Sequence, residues 1–143
     1  MTVADLDQVV EQNHLALDAF ARGDHEPLAM LWSTQDDVTL GNPFGPFVRG
    51  FEEVVHTMQL AASFYRDGEA VGFDLLAKHV TTDLALLVEV ERLMAKMGGR
   101  EDATPVALRT TSVFRNEGGA WKLMHRHADP ITSARSADSV IQR

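Results

Sequence analysis

Residues 121–129 read Trp-Lys-Leu-Met-His-Arg-His-Ala-Asp, and they alternate in the way that a β-strand requires. Strict alternation predicts two sets of side chains on opposite faces of this strand. One face would carry Trp121, Leu123, His125 and His127, and the other Lys122, Met124 and Arg126. The face that begins with a large apolar anchor therefore ends in two imidazoles. Such a pair could transfer protons, hold a ligand, bind a metal or simply form hydrogen bonds.

Three further strands are predicted immediately before this stretch. Residues 71–80, 84–97 and 105–115 show the two-residue period of strands, and the turn 116–119 has the sequence Asn-Glu-Gly-Gly that is typical of a hairpin. Pro130 ends the last strand. The second half of the chain is thus expected to form four consecutive antiparallel strands.

The first half of the chain is predicted to hold three helices. Thr2 can cap the first helix, and Gly23 can end it. A short helix follows over residues 25–32, and a third helix begins after Gly50 and ends near Tyr65. Segregated helices and a meander indicate an α+β domain with helices on one face of a single sheet.

Two shorter segments complete the predicted architecture. Residues 38–40 form a short strand before the loop 41–46, whose two prolines and two glycines are typical of a pocket rim or of a stiff connection. Residues 66–69 are predicted as a turn. One domain over residues 1–130 is expected, followed by a mobile C-terminal tail over residues 131–143.

Composition limits the possible partners. The formal net charge is −8, and the basic residues are scattered, which argues against nucleic acid or an anionic membrane as a partner. The chain contains no cysteine, so a disulfide framework or a thiolate metal site is excluded. Without a signal-like or membrane-spanning segment, a cytoplasmic location is expected. A small ligand, uncharged or cationic, fits this composition best.

Several segments together resemble the SnoaL-like, ketosteroid-isomerase-like branch of the nuclear transport factor 2-like superfamily. The segments are Gly23–Asp24, the strand at residues 38–40 before its loop, residues 108–111 (Leu-Arg-Thr-Thr) and the stretch 121–129. The resemblance extends from about Val3 to Pro130. It implies a strongly curved antiparallel sheet wrapped around the helices as an open cone, and a homodimer formed through sheet surfaces. The superfamily includes isomerases, cyclases, dehydratases and a kinase association domain, so the fold alone does not assign an activity.

The resemblance also implies a set of catalytic candidates. His125 and His127 match the Trp-x-x-x-His-x-His ending of the family, which would place them near the pocket. An imidazole can accept or donate a proton near neutral pH, as isomerisation, dehydration or cyclisation of a carbonyl compound requires. Glu89 and Glu91 share one strand face, and the resemblance favours Glu91 as the catalytic carboxylate.

Four further residues are candidates for ligand binding, and each has a structural alternative. Asn13 could point into a cavity or form a hydrogen bond with nearby backbone or water, and Trp32 could form the pocket floor or belong to the core. Arg109 could steady an enolate or form a cross-strand ion pair with a glutamate. Asp129 could orient His127 or cap the strand end.

The candidate residues lead to two functional hypotheses. The first is a small-molecule-binding protein that acts as a cofactor-independent isomerase, cyclase or dehydratase through His and carboxylate chemistry. Because Tyr65 is the only tyrosine, a site built from several phenols is excluded. Two histidines two residues apart are a weak metal signal, so neither a metal nor a cofactor is expected. The second hypothesis is a non-catalytic ligand-binding or dimeric assembly domain.

Overall fold

Three helices lie on one face of a mixed sheet in a computed structural model that describes residues 3–142. The helices are α1 (Val3–Phe20), α2 (Glu26–Ala29) and α3 (Phe51–Ala62). Gly23, at a φ of 91°, donates a backbone hydrogen bond to Phe20 and ends α1 as predicted. The predicted cap Thr2 lies outside the described residues. None of the described helices is long and apolar enough to span a membrane.

Six strands form the sheet. They are β1 (Thr39–Gly41), β2 (Val48–Arg49), β3 (Tyr65–Val80), β4 (Leu84–Met97), β5 (Ala103–Glu117) and β6 (Ala120–Asp129). Their spatial order is β2, β1, β6, β5, β4, β3, and the sheet is open at both edges. The four long strands form the predicted antiparallel meander. The sheet is not antiparallel throughout, however, because β1 pairs in parallel with β6.

The core fills the space between the helices and the inner face of the sheet. Strand β4 separates buried from accessible side chains most clearly, because every second side chain from Ala85 to Ala95 is buried. Opposite this strand, the helices contribute buried residues such as Leu6, Leu17 and Met58. The inner face of β4 nevertheless includes Glu89 and Glu91, so the core contains two carboxylates.

A β-bulge changes the face of the second half of β6. Phe114 of β5 pairs with Leu123, but its neighbour Val113 pairs with His125, so Met124 is an extra residue without a partner of its own. One extra residue shifts the following side chains to the opposite face. The alternation predicted for residues 121–129 is therefore wrong beyond Leu123.

The burial of the side chains confirms this shift. Trp121 and Leu123 are buried before the bulge, and Arg126 and Ala128 are buried after it. His125 and the following histidine consequently face the outer surface of the sheet. The prediction that the two imidazoles share the face of Trp121 is wrong, and Arg126 takes the interior position instead.

Three smaller predictions also need correction. Residues 66–69 belong to β3, where irregular pairing and the positive φ of Asp67 absorb the turn-like sequence. Gly68 brings β3 close to α1, since its backbone N–H donates to Ala21 and an added Cβ would lie 2.3 Å from the Met94 carbonyl oxygen. Helices α2 and α3 end before the predicted limits, and the two-residue strand β2 was not predicted.

Candidate functional site

A buried ion pair joins the inner faces of β4 and β6. Nη1 and Nη2 of Arg126 donate to the two carboxylate oxygens of Glu91 over 2.8 Å and 2.7 Å. Glu91 is fully buried and Arg126 is 6% exposed. Burial lowers the pKa of Arg126, but the charge and hydrogen bonds of Glu91 outweigh burial and raise it overall. The guanidinium therefore stays charged, and its two terminal nitrogens both donate to the same carboxylate in a bidentate pair.

A small cavity of about 30 Å³ lies beside this ion pair. Its polar lining consists of Tyr65, Arg126 and Asn42, and the loop residues Pro43 and Phe44 cover it. The rest of the lining is apolar and comes from all three helices, β1, β5 and β6: Leu17, Phe20, Leu28, Leu40, Met58, Ala61, Leu108 and Ala128. The cavity thus has the composition of a ligand site, with apolar walls and few polar groups.

Tyr65 provides the uncharged polar group next to the ion pair. Its side chain is buried, and burial, opposed by nearby Arg126, raises the pKa of its hydroxyl to about 12. Among residues 3–142, no hydrogen bond to this hydroxyl is formed, and unlike the amide of Asn13 and the indole N–H of Trp32 it is not a completely buried polar atom. At neutral pH the phenol is therefore a protonated donor that has no protein partner.

A second polar pair links α1 to the inner face of β4. Nε2 of His14 lies 2.9 Å and 3.1 Å from the two carboxylate oxygens of Glu89. The imidazole stacks on Phe73 at a centroid distance of 3.8 Å, which holds its ring plane. His14 is 27% exposed whereas Glu89 is 3% exposed, so the pair connects solvent to a buried carboxylate. Glu89 also lies within electrostatic range of Arg126.

Two predicted ligand-binding residues are buried away from the cavity lining. Asn13 is fully buried, and neither its amide nitrogen nor its amide oxygen has a hydrogen-bond partner among the described residues. The bond from Asn13 to nearby backbone is therefore not formed. Trp32 belongs to the core, and its indole N–H also has no partner in the described chain.

His125 and His127 lie together on the outer face of the sheet. Nδ1 of His125 shares a hydrogen bond with the hydroxyl of Thr39, at 2.8 Å. The ring of Phe47 lies 6.2 Å from His125 and 5.5 Å from His127, between centroids. Burial, together with the charge of His127, lowers the pKa of His125. A chemical role of these imidazoles stays a prediction, and it would have to act at this outer surface.

The remaining predicted residues form an ion pair beside this imidazole cluster. Nε of Arg109 donates to Asp129 over 2.7 Å, in a directly opposed cross-strand pair. Asp129 also accepts from the backbone N–H of Ile131 and lies 3.5 Å from Nε2 of His127. Burial raises the pKa of Asp129, but Arg109 and the hydrogen bonds outweigh it and lower the pKa overall. Asp129 therefore caps the end of β6 and also contacts His127.

Sequence reasoning missed three of the five polar groups that form the two interior pairs and the neighbouring phenol. Strict alternation assigned Arg126 to the face opposite Trp121, Tyr65 was predicted at a helix end, and His14 was not singled out as a site residue. Glu89 and Glu91 share one strand face as predicted, and the structure shows that this face is the buried one. Within residues 3–142, no group of three or more His, Asp or Glu side chains is arranged to hold a metal ion.

Comparisons with known proteins agree with this architecture. A family model described as a SnoaL-like domain matches residues 9–132. No protein with curated annotation matches the chain significantly.

Solved structures with the same fold are numerous. An NTF2-like family protein from Streptomyces avermitilis, provisionally assigned as a dehydratase, has a TM-score of 0.74 at 24% identity, covering 92% of this chain and 97% of its own. A ketosteroid isomerase-like protein from Erwinia carotovora atroseptica has a TM-score of 0.73 at 16% identity, with coverages of 91% and 96%. A protein from Thiobacillus denitrificans, provisionally assigned as a calcium/calmodulin-dependent protein kinase type II association domain, has a TM-score of 0.68 at 19% identity, with coverages of 87% and 93%.

Breaking the buried ion pair should destabilise the fold. We expect Glu91→Gln or Arg126→Met alone to lower the free energy of unfolding by about 3–5 kcal/mol, because each leaves a buried charge or donor set without its partner. The double variant Glu91→Leu with Arg126→Met should recover most of this loss. Urea denaturation of the four proteins measures the effect. Equal losses in the single and double variants would contradict the interpretation.

The lowered pKa of His125 predicts a pH-dependent stability. The folded state binds a proton at this site less readily than the unfolded state, whose imidazole titrates near 6.5. The contribution of His125 to the free energy of unfolding is therefore fully present above about pH 6.5. It is lost progressively as the pH falls towards the lower pKa of the folded state.

Urea denaturation between pH 7.5 and 5.5 tests this expectation. His125→Gln should show a smaller decline in stability than the wild type, because the titrating group has been removed. His127→Gln serves as the control and should retain a decline, since burial of His125 remains. A decline in His125→Gln equal to that of the wild type would refute the assignment.

Proposed function

Because this chain belongs to the SnoaL-like domain family, we propose that its cone binds a small, mostly apolar organic molecule and catalyses proton transfer on it. The reaction class is isomerisation, cyclisation or dehydration, with side chains as acid and base. The observation that carries this proposal is the hydroxyl of Tyr65, which belongs to the lining of a small, mostly apolar cavity and forms no hydrogen bond with residues 3–142. A ligand oxygen at this position would give the hydroxyl a hydrogen-bond partner inside the cavity.

The interior groups divide into those that stabilise charge and those that can exchange a proton. Tyr65 donates a hydrogen bond to a carbonyl or hydroxyl oxygen of the ligand, and the nearby guanidinium of Arg126 stabilises negative charge that develops there. Arginine does not release its proton near neutral pH, so the Glu91–Arg126 pair cannot transfer one. The role of Glu91 in this proposal is to hold Arg126.

The exchangeable proton is assigned to the His14–Glu89 pair, which lies outside the cavity lining, so the ligand has to extend towards β4 to reach it. A carboxylate that shares a hydrogen bond with an imidazole can both accept and return a proton. Glu89 is buried while His14 reaches solvent, so a proton taken up by Glu89 can pass through His14 to solvent. The predicted catalytic role of His125 and His127 is not part of this interior site.

A ligand screen combined with two substitutions tests the proposal. Uncharged cyclic ketones and phenols are screened by ligand-observed NMR. Tyr65→Phe should weaken binding of any hit by about 3- to 10-fold, the value of one hydrogen bond, without changing the shape of the side chain. For a compound that is converted, Glu89→Gln should lower kcat and leave the binding constant unchanged.

Two results would reject the interior site. The first is the absence of binding across the screen. The second is equal affinity of wild type and Tyr65→Phe for every hit. This result would mean that the phenol forms no hydrogen bond with the ligand.

The second candidate function is assembly, and the outer face of the sheet favours it. Leu86, Val88 and Val113 are apolar residues that stay partly accessible there, and Leu76 is 65% exposed. An apolar patch of this kind is typical of a protein interface. A homodimer that packs these outer faces together would bury it, and the solved association-domain relative has the same fold.

Sedimentation equilibrium tests the homodimer. Val88→Glu should weaken dimerisation by roughly a hundred-fold or more, because an unpaired charge in an apolar interface costs several kcal/mol. Met30→Glu is the matched control, since Met30 is 78% exposed on the helix side of the molecule. A monomeric wild type, or a Val88→Glu variant that dimerises as strongly as the wild type, would rule out this interface.

A further inference from the structure

Two cavities meet at Phe44. The interior cavity of about 30 Å³ reaches Tyr65 and Arg126, and a second cavity of about 220 Å³ lies between the loop and α3. Both are lined by Asn42, Phe44 and Ala61. The ring of Phe44 therefore stands where the two volumes would join.

The interior cavity alone is too small for an organic ligand. About 30 Å³ corresponds to roughly one water molecule, whereas ligand pockets measure about 300–1,000 Å³. The two cavities together approach the lower end of that range. Ligand entry thus requires a side chain at their junction to move.

Side-chain packing, rather than backbone pairing, holds Phe44 in place. Its ring makes edge contacts with Phe64 at 5.0 Å and with Tyr65 at 6.3 Å, and 46% of the residue is exposed. Its N–H donates to the side chain of Asn42 within the same loop. No backbone hydrogen bond joins residues 43–46 to another element of the described chain. Few bonds must therefore break for the ring to swing towards solvent.

We propose that Phe44 is the gate of the interior site and sets the size of its ligand, which is an uncharged compound of one or two rings with a carbonyl or hydroxyl oxygen. This inference rests on the proposed interior binding function. The size follows from the joined volume. The lack of charge follows from the apolar walls and from Glu91, which already compensates Arg126, so a charged ligand would be buried without a partner.

Phe44→Ala tests the gate, and Phe47→Ala is its matched control in the same loop. Phe47 is 62% exposed and covers Gly41 on the opposite face of the sheet, where an added Cβ would lie 2.4 Å from its ring. Phe44→Leu, a milder change, provides a second variant of the gate. The two phenylalanines thus differ in the face they cover, while both lie in one exposed loop.

The first measurement needs no ligand, because Tyr65 is the only tyrosine of the chain. Its nitration by tetranitromethane, followed by absorbance, should be roughly ten- to a hundred-fold faster in Phe44→Ala, because access to solvent returns the phenol towards its ordinary pKa of about 10. Phe44→Leu should fall between Phe44→Ala and the wild type, and Phe47→Ala should match the wild type. Equal nitration rates in Phe44→Ala and wild type would overturn the gate.

The second measurement is calorimetric binding of cyclohexanone, 2-tetralone and the three-ring ketone anthrone. We expect wild type and Phe47→Ala to reject anthrone and Phe44→Ala to bind it at least ten-fold more tightly than they do. An unchanged size limit in Phe44→Ala, or the same change in Phe47→Ala, would overturn the role in selectivity. Accelerated nitration without binding of any ketone would instead reject the ketone ligand class and count against the proposed function, while the gate stands.

Discussion

The Glu91–Arg126 ion pair is the constraint on which the inside of the cone depends. Removing a carboxylate and a guanidinium from water costs several kcal/mol for each ion, and only close attraction with well-aligned hydrogen bonds recovers this cost. The two bonds of 2.7 Å and 2.8 Å provide that alignment. Because β4 and β6 lie on either side of β5, the pair also ties together three neighbouring strands of the sheet.

The ion pair also defines the electrostatics of the neighbouring cavity. Each charge compensates the other, so the pair adds local polarity without adding net charge. Burial keeps the phenol of Tyr65 protonated beside it. An interior of this kind suits a neutral molecule with one oxygen function, and the loop that carries Phe44 contributes to the cavity lining.

The bulge at Met124 separates the polar residues of β6 into two environments. Arg126 faces the helices and the interior carboxylates, while His125 and His127 face outwards with Thr39 and Phe47. Neighbouring residues of one strand thus contribute to the interior site and to the outer face of the sheet. A single extra residue is sufficient, because side chains alternate with a period of two.

Regular patterns made most of the fold predictable. Val88 and Val90 alternate with Glu89 and Glu91 in the strand predicted over Leu84–Met97, and the strand has these bounds in the structure. The predictions for residues 66–69 and for β2 failed for a physical reason. Asp and Gly favour turns and strand irregularities alike, and a two-residue strand has no period to detect. Pairing with distant strands decided both cases.

Local sequence therefore determined the order of the helices and long strands, the hairpin and the shared strand face of Glu89 and Glu91. Only the tertiary structure decided which side of β6 is buried, and so which residues form the interior site. The physical reason is the distance along the chain between interacting groups. Arg126 turns inwards to meet a carboxylate 35 residues away, and His14 meets one 75 residues away. The free energy that fixes these side chains comes from residues that are distant in the sequence, and a pattern within one segment does not include them.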